Sequence, residues 1–188
     1  MESIVVSIRL VLASMLVCVV AYTAAVWAVG RAAAPGTAEG SLITRDDGSV
    51  VGSRLIAQKF TQPAYFWPRP SAVDYNGAGA GGSNKSPTSP DVKNRATDIV
   101  AAYGATAENP LPAELAAASG GGLDPHISER AALYQAARVA AARGIAPGEV
   151  EKLIEAQAFA PGGLFTPDRL VNVLELNLAL DRLAPARQ

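Results

Sequence analysis

Cysteine and histidine each occur once in this 188-residue chain. A lone cysteine, Cys18, excludes an intrachain disulfide framework. It lies inside an apolar run, and Met15-Leu16-Val17 before it lacks the small residue that a lipid-acylation site wants, so it reads as a small apolar filler. The lone histidine, His126, has no second histidine, no cysteine and no glutamate at ligand spacing, which leaves too few groups for a metal site. Charge of one sign is also lacking. Sixteen basic and 17 acidic residues leave a net charge of −1, with no Lys/Arg cluster. A nucleic-acid partner needs a basic stripe, so that class is excluded.

A long stretch without charge is present. Leu10 to Val29 carries no ionisable side chain apart from Cys18 and Tyr22, and Arg9 and Arg31 bracket it. As a helix it is about 30 Å long, the thickness of a bilayer's hydrocarbon core. Tyr22 and Trp27 lie toward its C-terminal end, where amphipathic aromatics favour the interface. Ala32-Ala33-Ala34 has the form of a signal-cleavage site, but Pro35 follows the cut and the run is long for a signal segment. We read a retained anchor. Ala21/Ala25 and Ala24/Ala28 are small-residue pairs that let helices approach closely. One helix encloses no pore, so any transport role needs partner helices. Positive charge is too evenly divided to orient the span.

Beyond it we expect an α+β fold: one N-terminal transmembrane helix, then one mixed α/β extramembrane domain. The boundaries are 1–9 tail, 10–29 helix, 30–40 linker and 41–188 soluble domain. Asp46-Asp47-Gly48-Ser49 between Leu42-Ile43-Thr44 and Val50-Val51 predicts a hairpin. Arg54 to Phe60 extends its second strand or starts a helical turn. Pro63 to Pro70, with three prolines among Tyr65, Phe66, Trp67 and Arg69, is an irregular loop pinned by its aromatics. Gly77 to Pro90 is irregular too. It spells two nucleotide motifs by letter. Gly77-x-Gly79-x-x-Gly82 lacks the following helix, and a near P-loop over 79–86 has Asn84 in place of its second glycine and is cut by Pro87. A helix follows over 91–105 with Asp91 as its cap, and a helical turn starts with Pro112 as its first residue. The helix 128–142 has Ser128 as N-cap and Gly144 as its stop. The helix 147–159 buries Val150, Leu153, Ile154 and Gln157 on one face. A short strand and a terminal helix fill 170–180.

Ser119-Gly120-Gly121-Gly122-Leu123-Asp124-Pro125-His126-Ile127-Ser128 is the most distinctive segment. Asp124, His126 and Ser128 stand too close in sequence to converge as a triad, so His126 reads as structural. The segment resembles the S-G-x-G-L-D-P-H-I-S signature of the C subunit of the Kdp-type potassium-transporting P-type ATPase. Gly52 to Phe60, Pro63 to Asn84 and Arg169 to Asp181 resemble the same family in the same order. Lys85 departs from the pattern, standing where an apolar residue is expected.

The resemblance implies an accessory subunit of an ATP-driven, high-affinity potassium-import pump. It would sit in a prokaryotic cell membrane, N-terminus inside and domain outside the cytoplasm. Implied partners are a P-type ATP-hydrolysing subunit, a multi-span potassium-conducting subunit, a small single-span subunit and lipid. The chain carries neither a D-K-T-G phosphorylation sequence nor a Walker A motif, so it is read as non-catalytic. Two mechanisms compete: the resemblance implies a catalytic-chaperone effect that raises the ATP affinity of the hydrolysing subunit, and the second is assembly, in which the domain caps the outer mouth and locks the complex. The resemblance makes Gln135, in Tyr134-Gln135, the candidate nucleotide contact, the alternative being a surface glutamine; ATP would be bound jointly with the hydrolysing subunit and no cofactor held by this chain alone. Signature and interface candidates are Tyr65, Phe66, Arg69, Pro70, Ser71, Asn76, Gly82, Ser83, Asn84, Ser119, Gly120, Gly122, Asp124, Pro125, His126, Ser128, Asn172 and Asn177. The competing reading is a membrane-tethered extracytoplasmic enzyme or binding module unrelated to a pump.

Overall fold

The computed structural model describes residues 2–45, 47–165 and 168–185. The chain divides into two compact units, Met1–Val51 and Gly52–Gln188. In the first, α1 (Glu2–Met15), a π-helical stretch (Leu16–Ala21) and α2 (Tyr22–Ala33) form one continuous helix. It is long and apolar enough to cross a membrane, and none of it is buried. An isolated helix with such a surface is stable only in lipid or against other helices. It includes residues 2–9, expected as a tail, and runs on to Ala33. The sequence carries no cue for the π-helical turn around Cys18. Ala34 breaks the helix, and a short turn α3 (Pro35–Ala38) follows. A two-stranded sheet joins β1 (Leu42–Thr44) and β2 (Val50–Ser53). Its tip closes through Asp47, whose carboxylate accepts the Ser49 N–H at 2.8 Å; Asp46, part of the expected turn, lies outside the described residues.

The second unit is α+β, as expected. Its helices are α4 (Pro90–Tyr103), α5 (Ala113–Ala116), α6 (Glu129–Arg143), α7 (Pro147–Gln157) and α8 (Val173–Leu183). Its strands β3 (His126–Ser128) and β4 (Leu170–Asn172) pair antiparallel with Ile127 opposite Val171. Each strand runs straight into a helix through a polar cap. Ser128 Oγ accepts the Ala131 N–H at 3.1 Å, and Asn172 Oδ1 accepts that of Glu175 at 3.1 Å. These bonds satisfy amides that the first helical turn leaves without partners.

Several boundaries differ from expectation. Residues 54–60 form neither strand nor helix; Ala57 N–H bonds the Leu123 carbonyl at 2.9 Å. Ser89, not Asp91, stands at the N-cap of α4, with Pro90 locking the first turn. Pro112 is the N-cap of α5 rather than its first residue. α7 stops at Gln157, which is exposed, because Phe159 pairs with Leu170 as a bridge that lengthens the sheet. The core gathers Phe66, Leu115 and Ile127 with Val139, Ile154, Val171, Leu176 and Leu180. Phe66 is fully buried, which stabilises the fold by about 2–3 kcal/mol.

Candidate functional site

The irregular segment 63–70 is held like a bound peptide. Asn177 on α8 grips both polar groups of Phe66: its Oδ1 accepts the N–H at 2.8 Å and its Nδ2 donates to the carbonyl at 3.0 Å. Gln135 on α6 does the same to the next residue, accepting from Trp67 N–H at 2.8 Å and donating to its carbonyl at 3.1 Å. A primary amide matches a peptide group in shape and polarity, so each side chain replaces a neighbouring strand. Two arginines from α6 complete the grip. Arg138 donates to the Pro63 and Tyr65 carbonyls and to Gln135 Oε1, and its guanidinium lies 4.0 Å from the centre of the Trp67 ring. Arg143, whose side chain is fully buried, donates to the carbonyls of Ala64 at 2.8 Å and Ala184 at 2.5 Å. It also pairs with Asp181 at 2.7 Å and stacks on Tyr65, whose hydroxyl donates to Asp181. These groups satisfy backbone that has no regular ladder to join.

A second junction joins the two glycine-rich stretches. Gly81 N–H bonds the Gly121 carbonyl at 2.8 Å. A Cβ on Gly82 would stand 2.6 Å from the Gly120 carbonyl oxygen. Gly122 has φ +71°, and a Cβ there would stand 2.7 Å from the Gly81 carbonyl oxygen and from Val73. Ser71 Oγ accepts the N–H groups of Val73 and Tyr75. Tyr75 in turn donates its hydroxyl to the Arg69 carbonyl, with burial, then Asp74, pushing that phenol up to about 12. Pro70 carbonyl accepts from buried Ser119. Ser83 is half-buried, while Asn76 and Asn84 are exposed, Asn84 with φ 50°.

Around β3 the polar groups are engaged with one another. Asp124 accepts from His126 N–H at 3.0 Å and pairs with Arg69 at 3.3 Å. The His126 side chain, then its backbone N–H, and the Arg69 charge outweigh partial burial and lower the Asp124 carboxyl below its ordinary 3.8. The His126 ring packs edge-on against Phe159. Ser128 Oγ donates to Glu114 while capping α6, and Pro125 carbonyl accepts from Val173 N–H. Asn172, opposite His126, ties β4 to the Arg54 carbonyl at 2.7 Å.

The family model described as "K+-transporting ATPase, c chain" matches residues 4–182. A protein of Parvibaculum lavamentivorans called potassium-transporting ATPase KdpC subunit is 72% identical over 186 residues, covering 99% of this chain and 100% of its own length. Proteins of the same description from Shewanella putrefaciens and Cereibacter sphaeroides are 46% and 48% identical, covering 98% and 86% of this chain and 94% and 87% of their own lengths. The chain belongs to the KdpC family.

The signature candidates fall into three groups: Tyr65, Phe66 and Asn177 at the clamp, Pro70 to Asn84 with Ser119 to Gly122 at the glycine junction, and Asp124 to Ser128 with Arg69 and Asn172 at the strand pair. Gln135 stands in the clamp, 1% exposed, with oxygen and nitrogen both bonded to Trp67. Its oxygen accepts from Trp67 and Arg138, and its nitrogen donates one of its two N–H groups to Trp67. Sequence reasoning missed Arg138, Arg143, Asp181 and Glu114. A signal existed for the arginines: Gln135, Arg138 and Arg143 share one side of α6 at spacings of three and five, a polar stripe where a core-facing helix carries apolar residues. Lys85 pairs with Asp91 at 2.9 Å on the surface.

Proposed function

We propose that this chain is the non-catalytic accessory subunit of an ATP-driven potassium-import pump. Residues 10–29 hold it in the cell membrane of a prokaryote, and residues 41–188 form the domain outside the cytoplasm. Beside it stand a P-type ATP-hydrolysing subunit, a multi-span potassium-conducting subunit and a small single-span subunit. The carrying observation is the family match from residue 4 to residue 182, which takes in anchor and domain together. The internal engagement of the signature groups supports a role through shape and contact rather than through bond-making chemistry. Ser128 Oγ is occupied by Glu114 and the α6 cap, which disfavours the tethered-hydrolase alternative.

The domain acts by completing and stabilising the complex. Any rise in the ATP affinity of the hydrolysing subunit follows from assembly, with Gln135 contributing by holding the 63–70 segment. A tagged chain purified from native membranes in mild detergent tests this. Co-purification of a P-type ATPase and a multi-span potassium subunit is expected, and removal of the chain abolishes potassium-stimulated ATP hydrolysis. Recovery of the chain alone, or full turnover without it, would overturn the proposal.

A further inference from the structure

Between α4 and the segment 59–75 lies an open cleft of about 210 Å³. Phe60, Trp67, Tyr75 and Tyr103 line it, with Ile99 at its side and buried Leu115 among its walls. Trp67 and Tyr103 meet edge-to-face at 5.0 Å, and Arg138 stacks on Trp67, so these walls are braced. The volume exceeds that of an apolar cavity of about 150 Å³ that takes benzene. It therefore has room for one aromatic or branched side chain.

Two further observations say what covers it. α4 has fourteen residues and buries none of them, although Val92, Ala96, Ile99 and Tyr103 form a helical stripe facing the domain. Arg95, on the same stripe one turn before Ile99, forms no hydrogen bond or ion pair among the described residues, and its Nε is buried without a partner. Arg95 is half-buried one turn from the cleft-lining Ile99, and an unpaired guanidinium near an apolar slot is completed by a carboxylate. At i and i+4, Arg95 and Ile99 stand about 6 Å apart, a spacing that residues two apart on one face of an extended segment span.

We propose that this cleft is a docking slot for a partner protein: an extended segment places one apolar side chain among Phe60, Trp67, Tyr75 and Tyr103, and sets an acidic residue against Arg95. The slot stands apart from the pump reading, because its chemistry specifies the segment and not the partner's activity.

The test uses the full-length chain in native membranes, with a benzophenone-bearing residue replacing exposed Ala102 at the cleft. After illumination, the adduct is mapped to a peptide. The expected result is a protein adduct on a segment with an apolar side chain within two residues of an Asp or Glu. Arg95→Glu is expected to cut the adduct yield at least fivefold, and exchanging the mapped carboxylate for arginine to restore it. An absence of protein adduct, adducts to lipid or to a second copy, a segment without a carboxylate, or an Arg95→Glu yield equal to wild type would each overturn the proposal. The potassium-pump subunits co-purifying while Ala102 yields no protein adduct would remove the slot and leave the pump reading intact.

Discussion

The segments 63–70 and 77–90 look alike in sequence. Both are rich in residues that interrupt regular structure, and neither has a helical or strand period. In the folded chain they differ. The first is gripped by Asn177, Gln135, Arg138 and Arg143 from two helices more than sixty residues away, and Phe66 sits at the centre of the core. The second lies mostly at the surface and is closed by short-range turns, such as Asn76 Oδ1 accepting from Ala78 and Ser86 Oγ accepting from Thr88. It is tied to the domain at the glycine junction of Gly81 and Gly82. An irregular backbone becomes part of the core when distant side chains supply the hydrogen bonds that a ladder would otherwise provide.

The largest effect is expected from Arg143→Ala. It strands the Ala64 and Ala184 carbonyls and Asp181, and a loss of about 3 kcal/mol is expected. Urea unfolding of the detergent-solubilised full chain carrying Trp27→Phe, followed by Trp67 fluorescence, measures it; a loss below about 1 kcal/mol would remove the clamp from the account of the core.

Asn177→Ala and Gln135→Ala come next. Each leaves an N–H and a carbonyl of the 63–70 backbone unpaired, at a cost of about 2–3 kcal/mol. Because they hold adjacent residues, the double variant is expected to lose less than the sum of the two. Strict additivity in the same unfolding assay would show that the segment is not held as one unit.

Gly82→Ala tests the surface segment's attachment. Its Cβ meets backbone at 2.6 Å, so about 1–3 kcal/mol is expected, more than a loop substitution ordinarily costs. Gly79→Ala, which meets only the end of the Asn76 side chain at 4.0 Å, serves as the control and is expected to be silent.

Acid titration distinguishes the regions more gently. The folded Asp124 carboxyl lies below its unfolded value, so its stabilising contribution is complete above about pH 4 and declines as pH falls through the folded value. Asp124→Asn is expected to flatten that part of the stability–pH curve; an unchanged slope between pH 4 and pH 2 would refute the assignment. The smallest effect belongs to Lys85→Met. The Lys85–Asp91 pair is solvent-exposed, and its loss is expected to leave the thermal midpoint unchanged.

Much of the architecture was legible along the chain. The uncharged run announced the long helix, Ser128 and Gly144 bracketed α6, and the strand before α8 followed from Leu170 to Asn172. These are local effects: hydrophobic length, an amide cap, a left-handed glycine. The family was legible as well, through ordered motifs that periodicity alone does not explain.

What the signature residues do was decided only by tertiary structure. Gln135 reads as a nucleotide contact and Asn177 only as a signature candidate until the fold sets residues 66 and 67 against α6 and α8. Gly82 and Gly122 stand only as signature candidates in the sequence; in the fold two loops meet there, backbone to backbone. Asp91 lost the cap to Ser89, and Gln157 stayed exposed as Phe159 left the helix for the sheet. The cap and stop of α6 and the length of the apolar helix depend on neighbours a few residues away, so sequence by itself determined them. The partners of a buried amide lie tens of residues distant, and only close packing selects them.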